Sequence, residues 1–401
     1  MNSLISISKI EFFVLALFSV VGYIPFLPYF IANIILFLVP CALILHLVFL
    51  NTRVSYSIVV FIIFSFIVGL IPYIFTTDIT LIAVNPLAIV LRSFGPITLY
   101  LIVSNFKLTN HYVSKVLLVI YFLNFVVVLL QFFILDDVKL VNDGSSVEWV
   151  SRGNKSLLLK RVTGLLGNAN SLGAFSLASV ILLENFFRNK KLLCLIMLVT
   201  SFLTIFVFSK SRNVMLTSVI IYIVWLIFNK KFFKSAIVFL LSIMLVYVVV
   251  YYKDNDLINS VFRINLILSS ESTIDMRGIV NAQAIQIWLN NFVIFGGGLS
   301  SEVYYLSRFH AIRNFSEMLY IKLLMEGGFV GLFSYFFVLF YVYFKKIKGK
   351  AKKTTIRLFY IAIMLISFAE TVFYVQQLYF FTFLVLGAYT AIEKNETQVV
   401  K

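Results

Sequence analysis

Long apolar stretches separated by short polar turns run through nearly the whole chain, and stretches such as 56–75 and 235–252 show no alternation of apolar and polar positions. A segment crossing hydrocarbon must satisfy its own backbone polar groups, which leaves only helices or closed barrels. Barrel strands alternate with a period of two, so these runs are helices. Each crossing takes about 20 residues, which predicts about twelve of them. Their positions are 6–23, 29–50, 56–75, 86–105, 114–134, 169–187, 192–208, 213–228, 235–252, 328–344, 355–372 and 374–391. The predicted fold is therefore an all-α polytopic membrane protein, with residues 1–401 forming a single transmembrane domain.

The connections divide by charge. Alternate ones carry Arg53; Lys107 and Lys115; Arg188, Lys190 and Lys191; Lys230, Lys231 and Lys234; and a basic run from Lys345 to Lys353. The short connections at 24–28, 76–85 and around 373 contain no Lys or Arg. Cytoplasmic loops collect Lys and Arg, so both termini are expected in the cytoplasm. Two outer segments are too long for tight turns, 135–168 and 253–327. Segments of that length in a compact bundle are usually functional or disordered. Within the second, 275–293 places Ile279, Ala282, Ile285, Ile287 and Trp288 broadly on one face, which predicts an interfacial helix with Trp288 at headgroup level.

Composition agrees with this pattern and narrows it. Hydrophobic residues make up 61% and charged residues 12% of the chain, where soluble domains carry about a quarter charged. Mean hydropathy is +1.02. The net charge of +16 lies largely in short loops, so it reads as topology and not as nucleic-acid binding. The first apolar stretch ends at Pro25 and Pro28 without a small-residue cleavage motif and reads as a first span. Cys41 and Cys194 fall inside apolar runs, where they read as packing residues and support neither a disulfide nor a metal site.

Candidate chemistry lies where cations oppose the topological trend. Arg152, Lys155, Lys160 and Arg161 precede the sixth span, Lys210 and Arg212 form the turn of FSKSRNVM, and Arg263, Arg277, Arg308 and Arg313 sit in the large loop. Contact with lipid headgroups is one reading of such residues. For Arg161, Arg212 and Arg277 together a shared anionic site is favoured, because guanidinium groups grip phosphate through paired hydrogen bonds. Arg92, inside the fourth span, either faces a cavity of the bundle or snorkels to the outer surface. Between 308 and 331 a carboxylate and a histidine, Glu317 and His310, stand within a few residues of arginines, and Gly327, Gly328 and Gly331 allow a sharp re-entry into the tenth span.

Three pieces of the chain together resemble a known family. They are Arg161-Val-Thr-Gly-Leu-Leu-Gly-Asn-Ala-Asn170 before a span, Ser211-Arg212-Asn213 opening another, and a large outer loop. The loop runs from Arg277 through Gly296-Gly297-Gly298 to Glu317 and Glu326-Gly-Gly-Phe-Val-Gly331. In order and placement they are similar to the O-antigen polymerase and O-antigen ligase superfamily of bacterial envelope glycan assembly. The resemblance covers about 160–335. It implies a GT-C-like bundle in the bacterial inner membrane, working on its periplasmic face as a metal-independent, inverting glycosyltransferase without a cofactor. The donor would be a glycan on undecaprenyl diphosphate, with membrane lipids and a chain-length regulator protein as further partners. Ligases usually show His-Asn where this chain has Glu317-Met318 after Ser316. That departure favours a polymerase that lengthens lipid-linked repeat units, while His310 keeps the ligase reading open. A flippase or other transporter would instead show charged spans and two related halves. The implied roles are Arg161, Arg212, Arg277, Arg313, Arg92 and Lys210 on the diphosphate, and Glu317 first, His310 second, as the base that activates the acceptor hydroxyl.

Overall fold

The structure, a computed structural model, describes residues 2–20, 99–134, 147–149, 160–187, 190–230, 273–291, 293–297, 318–344, 350–368 and 376–399, with single positions between 237 and 251 and at Glu302, Tyr305 and Leu306. The predicted spans 29–50 and 56–75 lie outside these residues, as do Cys41, Arg92, His310, Arg313 and Glu317. Span 86–105 is described only from Leu99, and span 235–252 only at single positions.

The described chain is mostly helical. The helices are α1 (Asn2–Val20), α2 (Asn110–Phe133), α3 (Ala169–Phe187), α4 (Lys191–Phe202), α5 (Arg212–Phe228), α6 (Thr273–Asn291), α7 (Leu319–Phe344), α8 (Lys350–Ser367) and α9 (Gln376–Val399). Their starts follow capping chemistry. Thr109 accepts the Tyr112 amide at the start of α2. Asn168 accepts the amides of Asn170 (2.8 Å) and Ser171 (3.1 Å) at the start of α3, satisfying donors that have no partner within the helix. The basic run expected as a loop at 345–353 is already helical from Lys350. Two three-residue strands add to the all-α expectation: β1 (Val147–Trp149) pairs antiparallel with β2 (Lys160–Val162), with Glu148 opposite Arg161.

Among the described residues, two helices are long and apolar enough to cross a membrane, Asn110–Phe133 and Lys191–Ser209, and Ala169–Glu184 and Arg212–Phe228 are shorter apolar helices. Lipid supplies no hydrophobic drive between helices, so close contact needs small residues and internal polar bonds. Helix α3 supplies both. Ser171, Gly173, Ala174, Ser176, Ala178 and Ser179 are buried along it, and it packs against α2, α4, α5 and α8. The Ser176 hydroxyl donates to Ser201 across the α3–α4 contact at 3.0 Å, and Phe175 meets Phe381 of α9 edge-on at 5.1 Å.

Side-chain bonds fix which helix ends lie together. At one end, the Tyr112 hydroxyl donates to the Lys9 carbonyl, Lys394 to the Ser104 carbonyl and Asn395 to the Leu108 carbonyl. At the other end, Gln131 meets Gly164, Asn213 meets Ile366 and Tyr320 meets Met364. The helices α2, α3, α4 and α5 therefore alternate in direction.

A second, smaller core joins α6 to the first half of α7. Val280, Ala284, Ile287 and Trp288 pack with Leu306, Ile321 and Met325, a stripe with the i, i+4, i+7, i+8 spacing of a helix face. This corrects the expected face. Ile279 and Ile285 are 47% and 38% exposed, and Ala282 also points outward. Ile287 and Trp288, of the expected face, are buried in this core, and the Trp288 indole donates to the Val293 carbonyl at 3.2 Å. The inward face is set by α7, a partner that the local pattern does not contain.

Helix α7 begins nine residues before the expected span and bends at Gly328, where φ is 61° and ψ −160°. The bend breaks the helical ladder, and the 293–297 loop repairs it. The Met325 carbonyl accepts from Gly297 at 2.8 Å, while the Phe329 and Val330 amides donate to Val293 and Ile294, both at 3.0 Å. Backbones approach this closely because the positions are glycine. A Cβ on Gly328 would strike the Ile294 carbonyl, and one on Gly296 the Gly327 and Gly328 amides. Broken helices in membranes are tolerated where other protein groups satisfy the freed backbone, and here a loop does so.

Candidate functional site

The sequence around 161–170 is folded by polar residues buried inside α2. Asn124 and Gln131 lie seven residues apart on one face of an apolar helix, 2% and 0% exposed. The Gln131 amide accepts from the Gly164 N–H at 2.8 Å and donates back to the Gly164 carbonyl at 3.2 Å. Asn124 accepts from the Leu165 N–H at 2.9 Å. Polar side chains inside a span face protein partners, and this pair clamps the short 3-10 turn Gly164–Leu166 onto the bundle. Neither was singled out from the sequence, although two amides spaced by seven in an otherwise apolar run were the available signal.

The clamp sets Arg161 in place. Its guanidinium donates from Nε to the Ser209 carbonyl and from Nη2 to Asn170 Oδ1, both at 2.8 Å, and the residue is 9% exposed. Helix α4 widens into a π-helical turn at Leu203–Ser209, a form often found at functional sites. Lys210 then takes a left-handed conformation, φ 50° and ψ 36°, and is 3% exposed. Ser211 opens α5, with Arg212 as its first helical residue. Arg161, Lys210 and Arg212 are thus brought to one turn, at a helix junction braced by the Ser209 hydroxyl donating to the Ala169 carbonyl at 2.7 Å.

The charge at this junction is arranged against ordinary preference. Arg161 sits favourably at the C-terminal end of a helix, but Lys210 and Arg212 crowd the start of α5, where the helix dipole is also positive. Ser211 gives no capping bond, and its buried hydroxyl has no hydrogen-bond partner among the described residues. Such a field suits an anion with several oxygens. The contrast with the opposite end is plain. There Lys107, Lys115, Lys190, Lys191, Lys230 and Lys394 are exposed, whereas Arg161 and Lys210 are enclosed by protein, which removes headgroup contact as their explanation.

Arg277 lies near the start of α6, the helix docked on α7. The described part of the 253–327 loop also holds carboxylates that sequence reading did not single out as site residues. Glu302 is fully buried with its Oε2 3.9 Å from Lys322 Nζ, and Glu326, one helical turn after Lys322, is buried beside the bend.

Residues 192–336 match the family model described as O-antigen ligase. The matched stretch takes in the 209–212 turn, α6, the glycine loop and the bend in α7, but not Arg161. No curated protein matches the chain. The resemblance to the O-antigen polymerase and ligase superfamily is borne out by this match.

Proposed function

We propose that this chain is a polymerase of O-antigen or a related surface polysaccharide, transferring a glycan from undecaprenyl diphosphate to another lipid-linked repeat unit. The observation that carries the reading is the enclosed cationic turn at the start of α5, within the stretch that matches the family. A diphosphate leaves readily once its charge is neutralised, and fixed cations aimed at the developing charge are the efficient means of doing so. Lys210 and Arg212 supply that field, Arg161 holds the turn from beneath, and Arg277, Arg313 and Arg92 are assigned to the same anion. Glu317, with His310 second, removes the proton from the attacking hydroxyl. The bond from the anomeric carbon to the diphosphate breaks as the bond to the acceptor oxygen forms, with inversion.

The exposed lysines at the opposite end support a bundle about twelve spans deep in the inner membrane, with both termini cytoplasmic and the cationic turn periplasmic. The Ser316-Glu317 pair favours polymerase. The description of the matching family favours ligase, which would transfer finished polysaccharide to lipid A-core. A knockout separates them, since loss of a polymerase leaves one repeat unit on the core and loss of a ligase leaves none.

For the shared chemistry, Arg212→Ala and Arg277→Ala are each expected to abolish long-chain polysaccharide while the protein stays in the membrane. Normal ladders from both variants would remove the diphosphate assignment. Purified protein that lengthens lipid-linked repeats in detergent would exclude transport as the primary activity.

A further inference from the structure

Helix α8 ends beside both halves of the site. The last four carbonyls of any α-helix have no partner within the helix. In α8 two of them are taken by side chains from elsewhere. The Tyr320 hydroxyl donates to the Met364 carbonyl at 2.8 Å, and Asn213 Nδ2 donates to the Ile366 carbonyl, also at 2.8 Å. Asn213 follows Arg212 directly in the cationic turn. Tyr320 stands in the first half of α7, in the unit formed with α6 and the 293–297 loop. The two donors therefore tie the cationic turn and the loop unit to carbonyls two residues apart on one rigid helix end.

We propose that Tyr320 is a positioning residue for glycan transfer, holding the α6–α7 unit in register with the cationic turn through the C-terminal end of α8. The inference rests on the transferase reading and adds to it a residue outside the cation set. The ring of Tyr320 packs on Phe336 at 5.6 Å and edge-on to Phe368 at 4.8 Å, so its place in the fold does not depend on the hydroxyl. The hydroxyl adds a directional bond to α8. Loss of that bond leaves the diphosphate-binding turn intact but lets the α6–α7 unit shift against it. A misplacement of about 1 Å costs up to a hundredfold in rate.

The test is Tyr320→Phe in the full-length protein, purified in detergent with undecaprenyl-diphosphate-linked repeat units. The expected result is a kcat reduced about tenfold with a KM changed by less than about twofold. Thermal stability should stay near that of the parent, and Asn213→Ala, which removes the second tie, should also lower kcat. A Tyr320→Phe kcat within about twofold of the parent would overturn the proposal.

Hydrogen exchange gives a readout independent of turnover. Undecaprenyl diphosphate bound to the parent protein should slow amide exchange over 319–330, and Tyr320→Phe should bind the carrier equally well yet lose that protection. Equal protection in both proteins would also overturn it. A parent protein that transfers no sugar would sink the transferase reading instead, leaving the exchange result to decide the role of Tyr320.

Discussion

Replacing Gly328 by alanine tests the loop-repaired bend most directly. Its φ of 61° and ψ of −160° fall in a region open essentially to glycine alone, and forcing another residue there costs about 1–3 kcal/mol. The added Cβ would also strike the Ile294 carbonyl, so the backbone must shift. The three bonds that splice the loop into α7 would lengthen together: Gly297 to Met325, Phe329 to Val293 and Val330 to Ile294. At about 1 kcal/mol each, the sum is about 4–6 kcal/mol. Opening at the bend should become about 10³–10⁴ times easier, read as faster amide exchange at Gly297, Phe329 and Val330.

Gly327 is the internal control. It precedes Gly328 directly, yet a Cβ there meets no atom within 4 Å. Gly327→Ala should therefore be neutral, or stabilising by up to about 1 kcal/mol through helix propensity. If the two variants showed the same exchange at these amides, the account of the bend as a backbone splice would be wrong.

Two further substitutions probe buried polar contacts elsewhere. Gln131→Leu removes the partners of both the Gly164 N–H and the Gly164 carbonyl and should cost about 2–4 kcal/mol, seen as a lower unfolding temperature and faster proteolysis within 160–168. Lys322→Met takes the cation from beside the buried Glu302 and should cost about 1–3 kcal/mol. Combining it with Glu302→Gln should recover most of that loss, because the buried charge is removed with its partner; strictly additive losses in unfolding temperature would show that the pair does not act as one.

Much of the fold was written in one-dimensional pattern. Spans expected at 169–187, 213–228 and 114–134 appear as α3, α5 and α2 within a few residues, because a run of apolar residues with no water to bond must close its amides locally. The bend was legible too, since Gly327, Gly328 and Gly331 stand together, and of these Gly328 takes a positive φ and an approach to Ile294 that only glycine allows. A shared site was expected of Arg161, Arg212 and Arg277 from their opposition to the charge trend; the structure brings Arg161 and Arg212 to one junction with Lys210 and places Arg277 near the start of α6.

What the chain could not disclose locally were the pairings between distant segments. The buried stripe of α6 was assigned to Ile279, Ala282 and Ile285 because an apolar residue looks the same whether lipid or protein will cover it. Only the arrival of α7 chose Val280 and Ala284 to pack beside Ile287 and Trp288, the two members of the expected face that are buried. Asn124 and Gln131 likewise acquire meaning from a turn some 40 residues later, and Tyr320 from a carbonyl 44 residues away. Hydrophobicity and charge along the sequence settle which segments are helical and which loops gather cations. Which polar group meets which is a matter of directional bonds at 2.8 Å, and these exist only once the helices have been packed side by side.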